Sequence, residues 1–152
     1  MFNTTLCYIE KNNKYLMLHR TKKKNDINEG HWIGVGGKFG KDETPEECLL
    51  REVKEETGLT LTSFKLRSVI TFLSDEYETE YMYLYTADEF TGELQECEEG
   101  DLHWIDKDKV LDLKTWEGDR LFLTKLINDD TFFTLKVRYE GKRLVEYKTF
   151  QY

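Results

Sequence analysis

Between residues 37 and 59, GKFGKDETPEECLLREVKEETGL, a glycine-bearing turn leads into a stretch that carries Arg51, Glu52, Glu55 and Glu56. On a helix advancing roughly 100° per residue, the three glutamates share one face while Leu49, Leu50 and Val53 occupy another. Like charges so spaced repel by a few tenths of a kcal/mol, so the cluster is either a solvated acidic face or a seat for something positive. Mg2+ suits such a set, because it takes oxygen ligands, keeps several waters and is held by one or two carboxylates together with substrate phosphates. A cation held there would polarise a phosphoryl oxygen and lower the pKa of a coordinated water, which is the chemistry of phosphoanhydride hydrolysis. Arg51 suits a place behind the acids, where its planar fork orients one of them.

The element that must present these acids is well marked. Thr44 can N-cap a helix, Pro45 suits its first position, Glu47 completes a capping box and Gly58 supplies a left-handed stop. Upstream, HWIGVGGK (31–38) reads as a short apolar strand with glycines where backbone comes close to something, whether a neighbouring strand or a ligand. Further upstream, Thr4–Ile9 and Tyr15–Leu18 read as a hairpin, followed by HRTKKKNDINEG (19–30), a polar mobile loop whose three lysines are solvated or help to draw in phosphates.

Downstream of the helix, Phe64–Leu73 and Tyr81–Thr86 read as strands joined by SDEYETE. Tyr81, Tyr83 and Tyr85 alternate with Met82 and Leu84, so one face is aromatic and the other aliphatic, and either can border a pocket. An acidic loop with Glu96, Glu98 and Glu99 feeds a short strand at 100–105. One helical turn follows at 107–111, then a helix over 118–128 that buries Leu121, Phe122, Leu123 and Leu126. Phe132–Tyr139 and Leu144–Phe150 close the chain as a hairpin. Strands and helices mix without strict alternation, which predicts an α/β fold with a mixed sheet and helices on both faces.

The chain of 152 residues contains one proline and shows no linker, so residues 1–152 are expected to form a single domain with a sizeable core. A formal charge of −8 argues against a general nucleic-acid binder, which needs a basic stripe. Cys7, Cys48 and Cys97 have neither C-x-x-C nor zinc spacing, so reduced thiols are expected rather than disulfides. The N-terminus lacks the pattern of a signal peptide and no stretch reads as a membrane span, so a cytoplasmic protein with no membrane partner is expected.

Gly37, five residues, Glu43, seven residues, then Arg51-Glu52-Val53-x-Glu55-Glu56-x-Gly58-Leu59 resembles the signature box of the Nudix hydrolases at every specified position. The resemblance implies the Nudix fold, an α/β/α sandwich with a mixed central sheet, and Mg2+, with Mn2+ as the alternative, as cofactor. It implies metal ligation by the Gly36 carbonyl, Glu52, Glu55 and Glu56, with Glu52 as ligand or general base, and Lys38 beside the phosphates. MutT-type members place one more metal-binding or base-like glutamate in the loop before an aromatic-containing strand. Glu99 matches that position by its offset from Trp104, with Glu98 second. Glu43 is expected to be structural, acting through Arg51 or the loop.

The chain also resembles the oxidised-purine nucleoside triphosphatases of that type across KTWEGDRLFLTKL and the closing hairpin. Trp116 would then stack on the base and Asp119 would bond its edge; the alternatives are a Trp116 that covers the core and an Asp119 that caps the helix. Ile33 stands where those enzymes have a base-reading asparagine, and Gly118-Asp119 where they have paired aspartates, so discrimination by buried polar groups is weaker or differently placed here. The implied activity is hydrolysis of a nucleoside triphosphate, a purine such as 8-oxo-dGTP, to monophosphate and pyrophosphate, by a monomer or homodimer. The alternatives are a nucleoside diphosphate derivative such as ADP-ribose or a nucleotide sugar as substrate, and an inactive nucleotide-sensing module.

Overall fold

A computed structural model describes residues 1–152. Strands β1 (Phe2–Lys11) and β2 (Lys14–His19) are joined by Asn12-Asn13, both at positive φ, a conformation that asparagine tolerates better than other non-glycine residues. Next come β3 (Trp32–Ile33), β4 (Val35–Lys38), α1 (Pro45–Thr57), β5 (Thr60–Ser74), β6 (Glu80–Thr91) and β7 (Asp101–Asp106). A 3-10 turn at Lys107–Asp112 leads into α2 (Glu117–Ile127), and β8 (Phe133–Glu140) and β9 (Arg143–Gln151) close the chain. The sheet runs β3-β2-β1-β6-β5-β8-β9, with β4 added to β1 and β7 to β2. The β1·β6 and β5·β8 pairs are parallel and the others antiparallel, so the sheet is mixed as expected.

Period-two alternation sorts the core into two layers. Tyr8, Met17, Leu84 and Val137 pack on the α2 side against Phe122, Leu123 and Leu126. Cys7, Leu16, Val35 and Tyr85 pack on the α1 side against Leu49 and Val53. The tyrosine face of β6 therefore belongs to the α1 layer, where the Tyr85 hydroxyl also donates to Glu46 at 3.0 Å. The aliphatic face, with Met82, is the one that borders the cleft.

Helix α1 has the ends its sequence specifies. The Thr44 hydroxyl accepts from the Glu47 amide at 3.1 Å, the Glu47 carboxylate accepts from the Thr44 amide at 3.0 Å, and Gly58 takes the left-handed conformation. Helix α2 begins without a side-chain cap, so Asp119 does not serve as one.

The segment at 19–30, read as a mobile loop from its composition, is a turn tied to the rest of the chain by backbone hydrogen bonds. Its Gly30 amide donates to the Arg20 carbonyl at 2.8 Å, the Arg20 amide donates to His31 at 3.0 Å, and the Lys22 amide donates to Glu99 at 3.3 Å. The physical reason is Arg20, whose side chain is buried and must find acceptors; a run of polar residues gives no sign of that. All three cysteines are free and buried. No helix is long and apolar enough to cross a membrane.

Candidate active site

A cleft of about 830 Å3 opens on the sheet, lined by two groups of side chains. Arg20, Gly36, Gly37, Glu52, Glu56 and Glu99 form an acidic group. Ile33, Phe72, Glu80, Trp116, Asp119 and Tyr139 form a second, aromatic and apolar group with two acids in it.

The acidic group is ordered by arginines. Arg51 Nε and Nη2 donate to the two oxygens of Glu43 at 2.7 and 2.8 Å, while Nη1 donates to Glu52 Oε1 at 2.8 Å and to Glu55 Oε2 at 3.2 Å. Its Nη2 also donates to the Lys38 carbonyl at 3.1 Å, fixing the turn that precedes the helix. The fork holds Glu43 down to about 2, with the Gly40 amide as a second donor, so Glu43 is a charged anchor for Arg51 rather than a group facing the cleft. Glu52 is raised above the usual carboxylate range by burial, against the pull of Arg51. Gly37 leaves room for it: a Cβ there would stand 2.6 Å from the Glu52 carboxylate and displace it.

Glu56 accepts from the Gly36 amide at 3.1 Å. Burial, and then the charge of Glu99, push it up to about 8. Glu99 is in turn held by Arg20, whose Nη1 donates to it at 2.7 Å while Nε donates to Asp26 Oδ2 at 2.7 Å. Arg20 and Asp26 were not visible as site residues in the sequence; the one clue is an arginine placed directly after an apolar strand. Glu98 is exposed. Glu55, expected among the metal ligands, is absent from the cleft lining, and its side chain, 58 % exposed, rests on Arg51.

Nowhere in the chain do three His, Cys, Asp or Glu side chains already stand as an ion-holding group. The donor set of Glu52, Glu56 and Glu99 nonetheless fits a divalent cation. Carboxylates from two elements face one cleft, and their mutual repulsion, together with burial, raises Glu56; a hard cation on their oxygens relieves that repulsion.

In the second group, Trp116 stacks on His31 with ring centroids 4.6 Å apart and planes 10° apart, and meets the edge of Tyr139 at 5.6 Å. Its indole N–H donates to Asn28 Oδ1 at 2.8 Å, so the ring is pinned in the cleft wall by the 19–30 segment. Tyr139 accepts from the Gly118 amide at 2.6 Å. Asp119 is buried without any hydrogen bond from the chain, and burial, then Glu80, push it up to about 8. Glu80 Oε2 accepts from the Thr4 hydroxyl at 2.6 Å. Ile33 lines the cleft as an apolar contact. Lys38 also lines it, with its ammonium 4.8 Å from the Phe2 ring centroid rather than paired with the acids of the box.

A family model described as NUDIX domain matches residues 3–126. The Bacillus subtilis protein named Nudix hydrolase YvcI is 32 % identical over 120 residues, covering 76 % of this chain and 72 % of that protein. An oxidized purine nucleoside triphosphate hydrolase of Danio rerio is 32 % identical over 111 residues, covering 72 % of this chain and 71 % of that enzyme. A MutT protein from Bacillus halodurans superposes with a TM-score of 0.89 at 26 % identity, covering 98 % of this chain and 97 % of that one. With Glu52 and Glu56 of α1 facing the cleft and the mixed sheet flanked by α1 and α2, this chain belongs to the Nudix hydrolases, and within them to the MutT type.

Proposed function

We propose that the protein is a divalent-metal-dependent hydrolase of purine nucleoside triphosphates, oxidised purines such as 8-oxo-dGTP among them, which releases the monophosphate and pyrophosphate. The observation that carries this reading is one cleft lined both by Glu52 and Glu56 of the box and by a pinned tryptophan beside the buried Asp119. The names of the Danio rerio and Proteus vulgaris relatives, an oxidized purine nucleoside triphosphate hydrolase and an 8-oxo-dGTP diphosphatase, point the same way.

Glu52, Glu56 and Glu99 would hold Mg2+, or Mn2+ in its place, with the Gly36 carbonyl as a further oxygen ligand. The ion would act as a Lewis acid on phosphoryl oxygen and would acidify a coordinated water. Arg51 holds Glu52 in place, and Arg20 does the same for Glu99. Glu52 or Glu56, whichever is not bound to the ion, accepts the proton of the attacking water. Water adds across the phosphoanhydride, and the two phosphate products leave.

Trp116 offers a face to the base, and Asp119 a buried carboxyl to its edge. Lys38 reaches phosphate by leaving the Phe2 ring, a cation–π contact of about 0.5–1 kcal/mol at such sites. The free, buried cysteines suit a reducing compartment, the cytoplasm. A nucleotide panel with ion-exchange product analysis tests the reading: triphosphates are expected to yield pyrophosphate in a Mg2+-dependent manner. Orthophosphate as the sole inorganic product, turnover confined to ADP-ribose or nucleotide sugars, or no turnover at all would overturn it.

A further inference from the structure

Each acid of the acidic group has a donor from the chain: Arg51 for Glu52, the Gly36 amide for Glu56 and Arg20 for Glu99. Of the two acids of the second group, Asp119 has none and Glu80 has one for only one of its oxygens. Asp119 is 5 % exposed and receives no hydrogen bond, although it lines the cleft. Glu80 gives Oε2 to the Thr4 hydroxyl, itself buried, and its other oxygen is without a partner. Neither acid is sealed in the core; their free oxygens open on the cleft, where they can accept from whatever donors a ligand brings. The neighbouring Ile33, Phe72 and Met82 supply neither donor nor acceptor, so along that stretch of wall the polar contacts come from the two acids.

On the nucleotide-hydrolase reading above, we infer that Glu80 is a specificity-determining residue. Together with Asp119 it accepts hydrogen bonds from an exocyclic amino group of the purine, so that the enzyme favours amino-bearing purines over analogues that lack that group. The Thr4 hydroxyl fixes which oxygen of Glu80 remains for the ligand. In Glu80→Gln the same hydroxyl claims the amide oxygen and turns the NH2 into the cleft, so an acceptor becomes a donor facing another donor.

The test compares kcat/KM for dGTP against dITP, which lacks the 2-amino group, and for dATP against 2′-deoxypurine triphosphate, which lacks the 6-amino group. In the wild type at least one ratio favours the amino-bearing base; in Glu80→Gln that ratio falls about tenfold or more, through KM rather than kcat. The ratio that moves identifies the amino group. Thr4→Val, which leaves the carboxylate in place but frees its rotation, shifts the same ratio by less and keeps the test open should Glu80→Gln fold poorly. Triphosphate turnover with both ratios unchanged in both variants would overturn the assignment of Glu80. Absence of triphosphate turnover in the wild type would instead overturn the reading on which it rests.

Discussion

The two groups that line the cleft hold their acids in opposite ways. Around α1, arginines and backbone amides occupy the carboxylates: Arg51 bridges Glu43, Glu52 and Glu55, and Arg20 bridges Glu99 and Asp26. Around α2 and the start of β6, Asp119 has no partner and Glu80 has half of one. Charge-assisted bonds within the protein fix geometry before a substrate arrives, which reactions at phosphorus require. Unpaired acceptors leave recognition to whatever the substrate brings, which is how a site rejects a ligand lacking the matching donor. The acidic group is thus read as machinery and the other group as a reader.

The contrast is broken most severely at Glu56. Glu56→Gln removes a ligand or base and is expected to lower kcat on the order of 10²-fold or more in steady-state hydrolysis, with the fold intact by circular dichroism. Arg51→Lys comes next: a point charge cannot serve Glu43, Glu52 and the Lys38 carbonyl together, so activity or apparent metal affinity should fall about 10–100-fold, read from Mg2+ titrations of rate.

Asp119→Asn sharpens the contrast from the other side. The carboxyl is pushed up to about 8 in the folded protein from an unfolded value near the usual aspartate range, about 3.9, so the folded state binds more protons between those values. Its contribution to stability is therefore fully present at low pH and lost as pH rises from about 4 toward 8. Thermal melts of Asp119→Asn should show a flatter pH dependence across that window than the wild type. KM for the purine should rise roughly tenfold while kcat changes little, as befits a group that reads rather than reacts. The smallest effect belongs to Thr44→Ala, which removes the cap of α1; a loss of about 1 kcal/mol in denaturant unfolding is expected, with kcat unchanged.

The same contrast explains what could be read from the sequence. Much that is local to the box was legible: the cap at Thr44, the stop at Gly58 and Arg51 as a partner for one of the acids are set within the box, and of the face expected for Glu52, Glu55 and Glu56, Glu52 and Glu56 line the cleft. The mixed sheet with a helix on each face followed from strands and helices that mix along the chain without strict alternation. The exposure of Glu55 was not legible, because helical phase puts it beside Glu52 and only the position of Arg51 and the cleft wall turns it outward. Arg20, Asp26, Asn28 and Glu80 were missed for a different reason. Three of them have partners far away in the chain, Arg20 with Glu99, Asn28 with Trp116 and Glu80 with Thr4, while Asp26 pairs with Arg20 six residues away, and nothing in a polar loop or a strand end marks such pairing in advance.

The central claim is that Glu52, Glu56 and Glu99 grip a divalent ion that in turn grips the phosphates. It is tested most directly by Mn2+ titration followed by electron paramagnetic resonance, with a non-hydrolysable nucleoside triphosphate analogue present, comparing the wild type with Glu56→Gln. Saturable uptake by the wild type, weakened about 10–100-fold or more in the variant, is the predicted result. No uptake by the wild type beyond that of the nucleotide alone, or equal uptake by both proteins, would contradict it.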